Sequence, residues 1–197
     1  MDPHYCLLIV PCSDRKRLGG RPPEHRSDHD SDLGRARRHV LTRSRADESR
    51  LLPAWQRYDG NFYRAAGPML GRVAQEGRLI ILSGGYGVLD ARDPIGTYNR
   101  LLRPGDWPRG LLERTIAARA TDQGLDVVAF AGASTGYARL LRAVPWTLPT
   151  GRTAHLVTMQ WMRGVSAVSA ALGTAFAAFV TGGSDYPVAT RVERLDR

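Results

Sequence analysis

Continuous apolar runs occur at residues 5–10 (YCLLIV), 78–82 (RLIIL), 126–131 (DVVAFA) and 154–159 (AHLVTM). Unbroken rather than alternating apolar patterning predicts strands covered on both faces. Helical spacing fills the intervals. Residues 51–75 carry Trp55, Tyr58, Phe62, Met69, Leu70 and Val73 at broadly helical spacing, interrupted at Gly60 and Gly67-Pro68. Residues 107–124 carry Leu111, Leu112, Thr115, Ile116 and Ala120, with Gly124 as a C-terminal stop. Residues 136–144 predict a short helix ended by Pro145, and the Ala-rich residues 164–180 predict a buried helix ending at Gly182-Gly183. Alternating strand and helix predicts an α/β fold: a short, mainly parallel sheet of about four strands, flanked by helices in three layers. One domain over residues 1–197 accommodates this. Residues 17–50, rich in Arg, Asp, Ser and His and poor in large apolar side chains, predict an Arg-rich, partly ordered insertion. Residues 183–197 predict a peripheral tail.

In an open parallel sheet, ligands bind beyond the carboxyl ends of the strands. The loops that follow the first three runs are Pro11-Cys12-Ser13-Asp14, Ser83-Gly84-Gly85-Tyr86-Gly87 and Gly132-Ala133-Ser134-Thr135-Gly136-Tyr137. They are small and hydroxyl-rich, and two of them offer glycines that allow backbone N–H groups to approach an anion. Any one of them is ordinary turn chemistry; three on one edge predict a binding site. None matches a Walker or dinucleotide fingerprint. The segment after the second loop, Asp90 through Asn99, places carboxylates near an aromatic, so Asp90 or Asp93 is a candidate general base and Tyr86 or Tyr98 a candidate stacking surface.

Composition adds charge to this picture. The 197 residues carry a formal net charge of +9, which favours polyanionic partners such as nucleotides or nucleic acid. Of 28 basic residues one is a lysine, Lys16, and it sits in the first loop. A role that arginine cannot fill, such as amine nucleophile, follows as an expectation. Two cysteines six residues apart, Cys6 and Cys12, form neither a disulfide framework nor a zinc spacing. Cys12 reads as a small buried thiol. His25 and His29 stand four apart among Asp28, Asp30 and Asp32, but on a segment without helical pattern; no metal and no cofactor is expected. His155, mid-strand, reads as a satisfied core histidine. No signal segment or membrane span is read, and the expected setting is cytoplasmic.

Together these residues resemble the YaaA-like group of bacterial proteins. The resemblance is carried by Val10-Pro11-Cys12-Ser13 with Lys16, by Pro53-Ala54 through Tyr58-Asp59-Gly60-Asn61-Phe62-Tyr63, by Ile81-Leu82-Ser83-Gly84-Gly85-Tyr86-Gly87-Val88-Leu89 through Ile95 to Tyr98, and by Ala131-Gly132 to Tyr137. It departs from the group's Ser-Ala-x-Tyr-Gly at Gly84-Gly85 and from its Pro-Tyr-Asp at Thr97-Tyr98-Asn99. The resemblance implies association with DNA or nucleotides near oxidative damage or base modification. The architecture is also similar to that of uracil-DNA glycosylases. The expected function is an enzyme that recognises a nucleobase or nucleotide and cleaves or exchanges an N-glycosidic bond. Lys16, Asp14, Asp90 and Asp93 are the catalytic candidates. Cys12, Ser13, Ser83, Gly84, Gly85, Tyr86, Gly87, Tyr98, Asn99, Gly132 and Tyr137 are the binding candidates. The alternatives are a non-catalytic DNA-binding stress protein using the arginine-rich insertion, and a tailoring enzyme of modified-nucleoside biosynthesis acting on a free nucleotide.

Overall fold

The computed structural model describes residues 1–23 and 31–196. Strand β1 (Cys6–Pro11) lies at the centre, and its apolar run is buried on both faces as the pattern requires. Cys6, Leu8 and Val10 point into one core layer and Leu7 and Ile9 into the other, each at most 1% exposed. Burying each such leucine, isoleucine or valine contributes about 1.5–3 kcal/mol.

The remaining elements are α1 (Asp32–Thr42), β2 (Asp47–Pro53), α2 (Ala54–Arg57), α3 (Asn61–Ala66), α4 (Pro68–Gln75), β3 (Leu79–Ser83), β4 (Gly87–Asp90), β5 (Pro94–Thr97), α5 (Leu111–Gln123), β6 (Asp126–Phe130), α6 (Gly136–Arg142), β7 (Ala154–Met159), α7 (Val165–Thr181) and β8 (Thr190–Arg194). The main sheet has six strands in the order β4-β3-β1-β6-β7-β8. Its four inner strands are parallel, and β4 and β8 close the edges antiparallel. Helices α3, α4 and α7 cover one face, and α1, α5 and α6 the other. Gly173 lets α7 press against α3: a Cβ there would stand 2.3 Å from the Phe62 carbonyl oxygen.

The α/β class and the four apolar runs hold, each run being an inner strand. The count of about four strands is too low. Strand β4 is the return arm of a hairpin from β3, and β8 lies in the tail, where Thr190–Arg194 alternates faces at the sheet edge instead of forming an apolar run. Residues 51–75 are not one helix. They complete β2 and then form three short helices, broken at Gly60 and at Gly67, which takes φ +56. The described parts of the arginine-rich stretch are built into the fold. Ser31 caps α1 by accepting from the Gly34 N–H at 2.9 Å, and β2 pairs antiparallel with β5 in a separate two-stranded ribbon. His25, His29, Asp28 and Asp30 lie outside the described residues.

Candidate functional site

From β1 the chain crosses to β3 on one side, and later returns to β6 on the other. The crevice between β1 and β6 is therefore the topological switch point, the position at which open α/β sheets bind their ligands. The loop after β1 and the start of α6 meet across it: Cys12 Sγ and the Tyr137 hydroxyl are 3.1 Å apart. The first loop is pinned from below. The Cys12 N–H donates to the Leu82 carbonyl at 2.8 Å. Ser13 Oγ accepts from the Gly60 N–H at 3.1 Å and donates to the Arg15 carbonyl at 2.6 Å. Thr135 holds the loop after β6 by donating to the Gly132 carbonyl at 2.7 Å while capping α6.

Lys16, in the loop after β1, folds back half-buried on the β3 side of β1, against the rings of Tyr58 and Tyr98. Its Nζ donates to the carbonyls of Ser13 and Asp14, both at 3.2 Å, and stands 4.1 Å from the centroid of the Tyr98 ring. The ring face favours the cation. Burial opposes it and is the main reason the Lys16 amine is held below the ordinary lysine value of 10.5, with the Arg57 guanidinium adding to the effect and the Asp14 carboxylate opposing it. Four buried or half-buried phenols surround the crevice. Tyr58, Tyr98 and Ser83 form a closed hydroxyl triangle, with Tyr58 Oη to Ser83 Oγ at 3.0 Å and the other two sides at 2.8 Å. Tyr63 Oη donates to the Pro11 carbonyl at 2.9 Å. Burial pushes the phenols of Tyr58, Tyr63, Tyr98 and Tyr137 well up, so all four stay protonated at neutral pH and available as hydrogen-bond donors. Cys12 is half-exposed, whereas Cys6 is enclosed and its thiol is pushed up to about 11, chiefly by burial.

The loop after β3 is closed by the protein itself. A Cβ on Gly84 would stand 2.1 Å from the Arg100 carbonyl oxygen, and one on Gly85 2.8 Å from the Tyr98 ring. Gly87 turns with φ +74 beneath Trp107. These glycines admit neighbouring chain, not an anion. Tyr86 is fully buried, its hydroxyl donating to Glu48 at 2.9 Å and accepting from the Gly96 N–H, so it offers no face to a base. Ser83 is equally buried and serves the triangle.

Asp90 and Asp93 are not at the site. Strand β4 runs back along β3, pairing Ser83 with Gly87 and Ile80 with Asp90, and so carries both carboxylates to the opposite edge of the sheet. Asp93 accepts from the Asp90 N–H at 2.9 Å, and Asp90 pairs with Arg92. That arrangement is a tight turn. Burial holds the Asp93 carboxyl above its ordinary value. Asn99 is exposed, and its N–H reaches the Ser44 carbonyl at 3.4 Å. His155 is partly exposed, with its Nδ1 buried and unpartnered among the described residues, so it is not the satisfied core histidine expected from its position. No group of three potential metal ligands occurs among the described residues, and no helix among them is long and apolar enough to cross a membrane.

Sequence reasoning missed Tyr58 as a member of the site, because its spacing reads as a helix face, and gave Tyr63 and Arg57 no site role. Arg57 is 1% exposed and donates to the carbonyls of Arg17, Gly19, Arg50 and Ile95, tying the arginine-rich stretch beneath the crevice. Arg37, also buried, donates to the carbonyls of Tyr86 and Val88. Two of the arginines in and beside that stretch therefore act inside the fold. No family model matches the chain, and no curated protein matches it.

Proposed function

We propose that the crevice between β1 and β6 belongs to an enzyme that recognises a nucleobase in a nucleotide or nucleic acid and breaks or exchanges its N-glycosidic bond, with Lys16 as the nucleophile. The observation that carries this reading is the seat of Lys16. A half-buried amine is held on two carbonyls and an aromatic face, at the switch point, beside the Cys12–Tyr137 pair. A lysine meant only to bind phosphate needs neither burial nor a lowered pKa.

The neutral Nζ attacks C1′ of the sugar. A bond forms between Nζ and C1′, the C1′–N bond breaks, and its electron pair leaves with the base. The base takes a proton from the Tyr137–Cys12 pair. Opening of the sugar ring, with the Nζ proton passing to the ring oxygen, leaves an imine that water hydrolyses or a second base displaces. Asp14 is the carboxylate at this edge whose charge reaches both Lys16 and Tyr137, and it stabilises positive charge developing on the sugar. The net charge of +9 favours an anionic substrate.

Borohydride trapping with abasic-site DNA tests the reading, because reduction fixes the imine as a stable covalent adduct. Wild type should trap, and Lys16→Ala should lower the yield at least about 100-fold. The trapping rate should rise with pH as the amine loses its proton, and level off below the ordinary lysine value of 10.5. Undiminished trapping by Lys16→Ala would sink the lysine role.

A further inference from the structure

The loop from β7 to α7 opens onto the same edge as the crevice. Ile9, Ala129 and Leu156 share one level across β1, β6 and β7, so the ends of β1 and β7 stand about 10 Å apart, one strand between them. The start of α7 also touches the elements that hold the first loop. Asn61, next to the Gly60 that supports Ser13, donates to the Ser166 carbonyl at 3.4 Å.

Within this loop Trp161 is 94% exposed and takes φ +58. Either feature alone is unremarked in many proteins. Their combination opposes two physical preferences at once: a side chain with Cβ avoids positive φ, and indole is the largest apolar side chain to leave in water. The neighbours show that the position is held there. The Gln160 N–H donates to the Ala189 carbonyl at 2.8 Å, and Met162 packs into the core cluster that contains Val10, Tyr58, Tyr63 and Tyr98. With both flanks anchored, the left-handed turn lifts Trp161 out of the surface. Strain concentrated at a ligand-facing position is a common device of binding sites.

We propose that Trp161 is the stacking platform for the substrate's base, so that the site takes an unpaired base: a free nucleotide, or a base turned out of a strand. This rests on the nucleobase reading above. It also supplies what that reading lacked, since Tyr86 is buried and the Tyr98 face is occupied by Lys16. An indole stacks on any base without hydrogen-bond readout, and the basic chain suits the attached phosphate.

The test measures binding of the four deoxynucleoside 5′-monophosphates and of 2-deoxyribose 5-phosphate to wild type, Trp161→Ala, Trp161→Phe and Trp161→Gly. Trp161→Ala should weaken binding of the nucleotides roughly 5- to 100-fold and leave the base-free sugar phosphate unchanged. Trp161→Phe should restore most of the loss. Trp161→Gly should bind as weakly as Trp161→Ala yet melt no lower than it, because glycine accepts the positive φ. Nucleotide binding by Trp161→Ala at wild-type strength would overturn the platform and leave the nucleobase reading standing. Equal loss of the sugar phosphate would overturn it too, showing a loop that merely holds the site together. Wild type binding nucleotides no better than 2-deoxyribose 5-phosphate would remove the nucleobase reading and the platform with it.

Discussion

The loops after β1 and β3 look alike in sequence and differ in the folded protein. Both follow buried apolar strands, both are short and rich in small residues, and both end at the same sheet edge. The loop after β3 is filled by its own neighbours: the Arg100 carbonyl lies against Gly84, the Tyr98 ring against Gly85, and Tyr86 is sunk in the core. The loop after β1 keeps its reactive groups at the crevice, with Cys12 and Lys16 only half-buried and Asp14 exposed. Glycine in a strand-end loop thus can admit neighbouring chain instead of a ligand, and the path of the following segment decides it. Here the segment after β5 crosses back over the β3 loop, whereas it meets the β1 loop through the Tyr98 ring and leaves Cys12, Asp14 and Lys16 partly exposed.

The contrast predicts that damage to the β3 loop is paid in stability and damage to the β1 loop in chemistry. The largest effect is expected for Gly84→Ala. Its methyl has no room beside a backbone carbonyl, so the chain must shift, at a cost of about 3 kcal/mol or more. Urea denaturation measures this, and a midpoint like that of wild type would show that the loop is not closed as described.

Tyr98→Phe comes next. It opens the hydroxyl triangle while keeping the ring face on which Lys16 rests. A loss of about 1–2 kcal/mol in stability, with borohydride trapping kept within a few-fold of wild type, would separate the two roles of that side chain. Equal loss of trapping and stability would merge the two loops into one cooperative unit.

The smallest effect is expected at Asp93, on the far edge. Its carboxyl is held above the ordinary value of 3.8 by burial, so the folded state favours the protonated form. The stability this group contributes is full below 3.8 and is lost as pH rises through its raised folded value. Asp93→Asn does not titrate and keeps an oxygen for the Asp90 N–H. Its denaturation midpoint relative to wild type should therefore climb as pH goes from about 4 to about 7, with trapping unchanged. A fall in trapping would return Asp93 to the site.

Much of the fold was legible from local pattern. A continuous apolar run needs apolar cover on both faces whatever the rest of the chain does, and all four such runs are inner strands. The edge strands were not legible in the same way. Thr190–Arg194 is a strand because β7 offers it an unpaired edge, and nothing within TRVER marks that. Of the candidate site, Cys12, Ser13, Asp14 and Lys16 were readable because chemistry-bearing residues stood together in one loop. Tyr137 was readable as a loop residue, but its contact with Cys12 spans 125 residues. Asp90 and Asp93 misled because nearness in sequence to a strand-end loop says nothing of direction, and β4 carries them to the other edge. Tyr58 was hidden because a half-helical spacing records only that a side chain is buried, not what it faces, and Arg57 because nothing local marks an arginine for burial.

By itself, then, the sequence determined the class of fold, the central strands and the loop that holds Lys16, since each follows from residues adjacent in the chain. Tertiary structure decided that the glycine loop after β3 is filled, which carboxylates share an edge with the amine, and that Trp161 stands exposed between anchored neighbours. Those outcomes depend on how distant segments pack, and packing distances are not written in any local pattern.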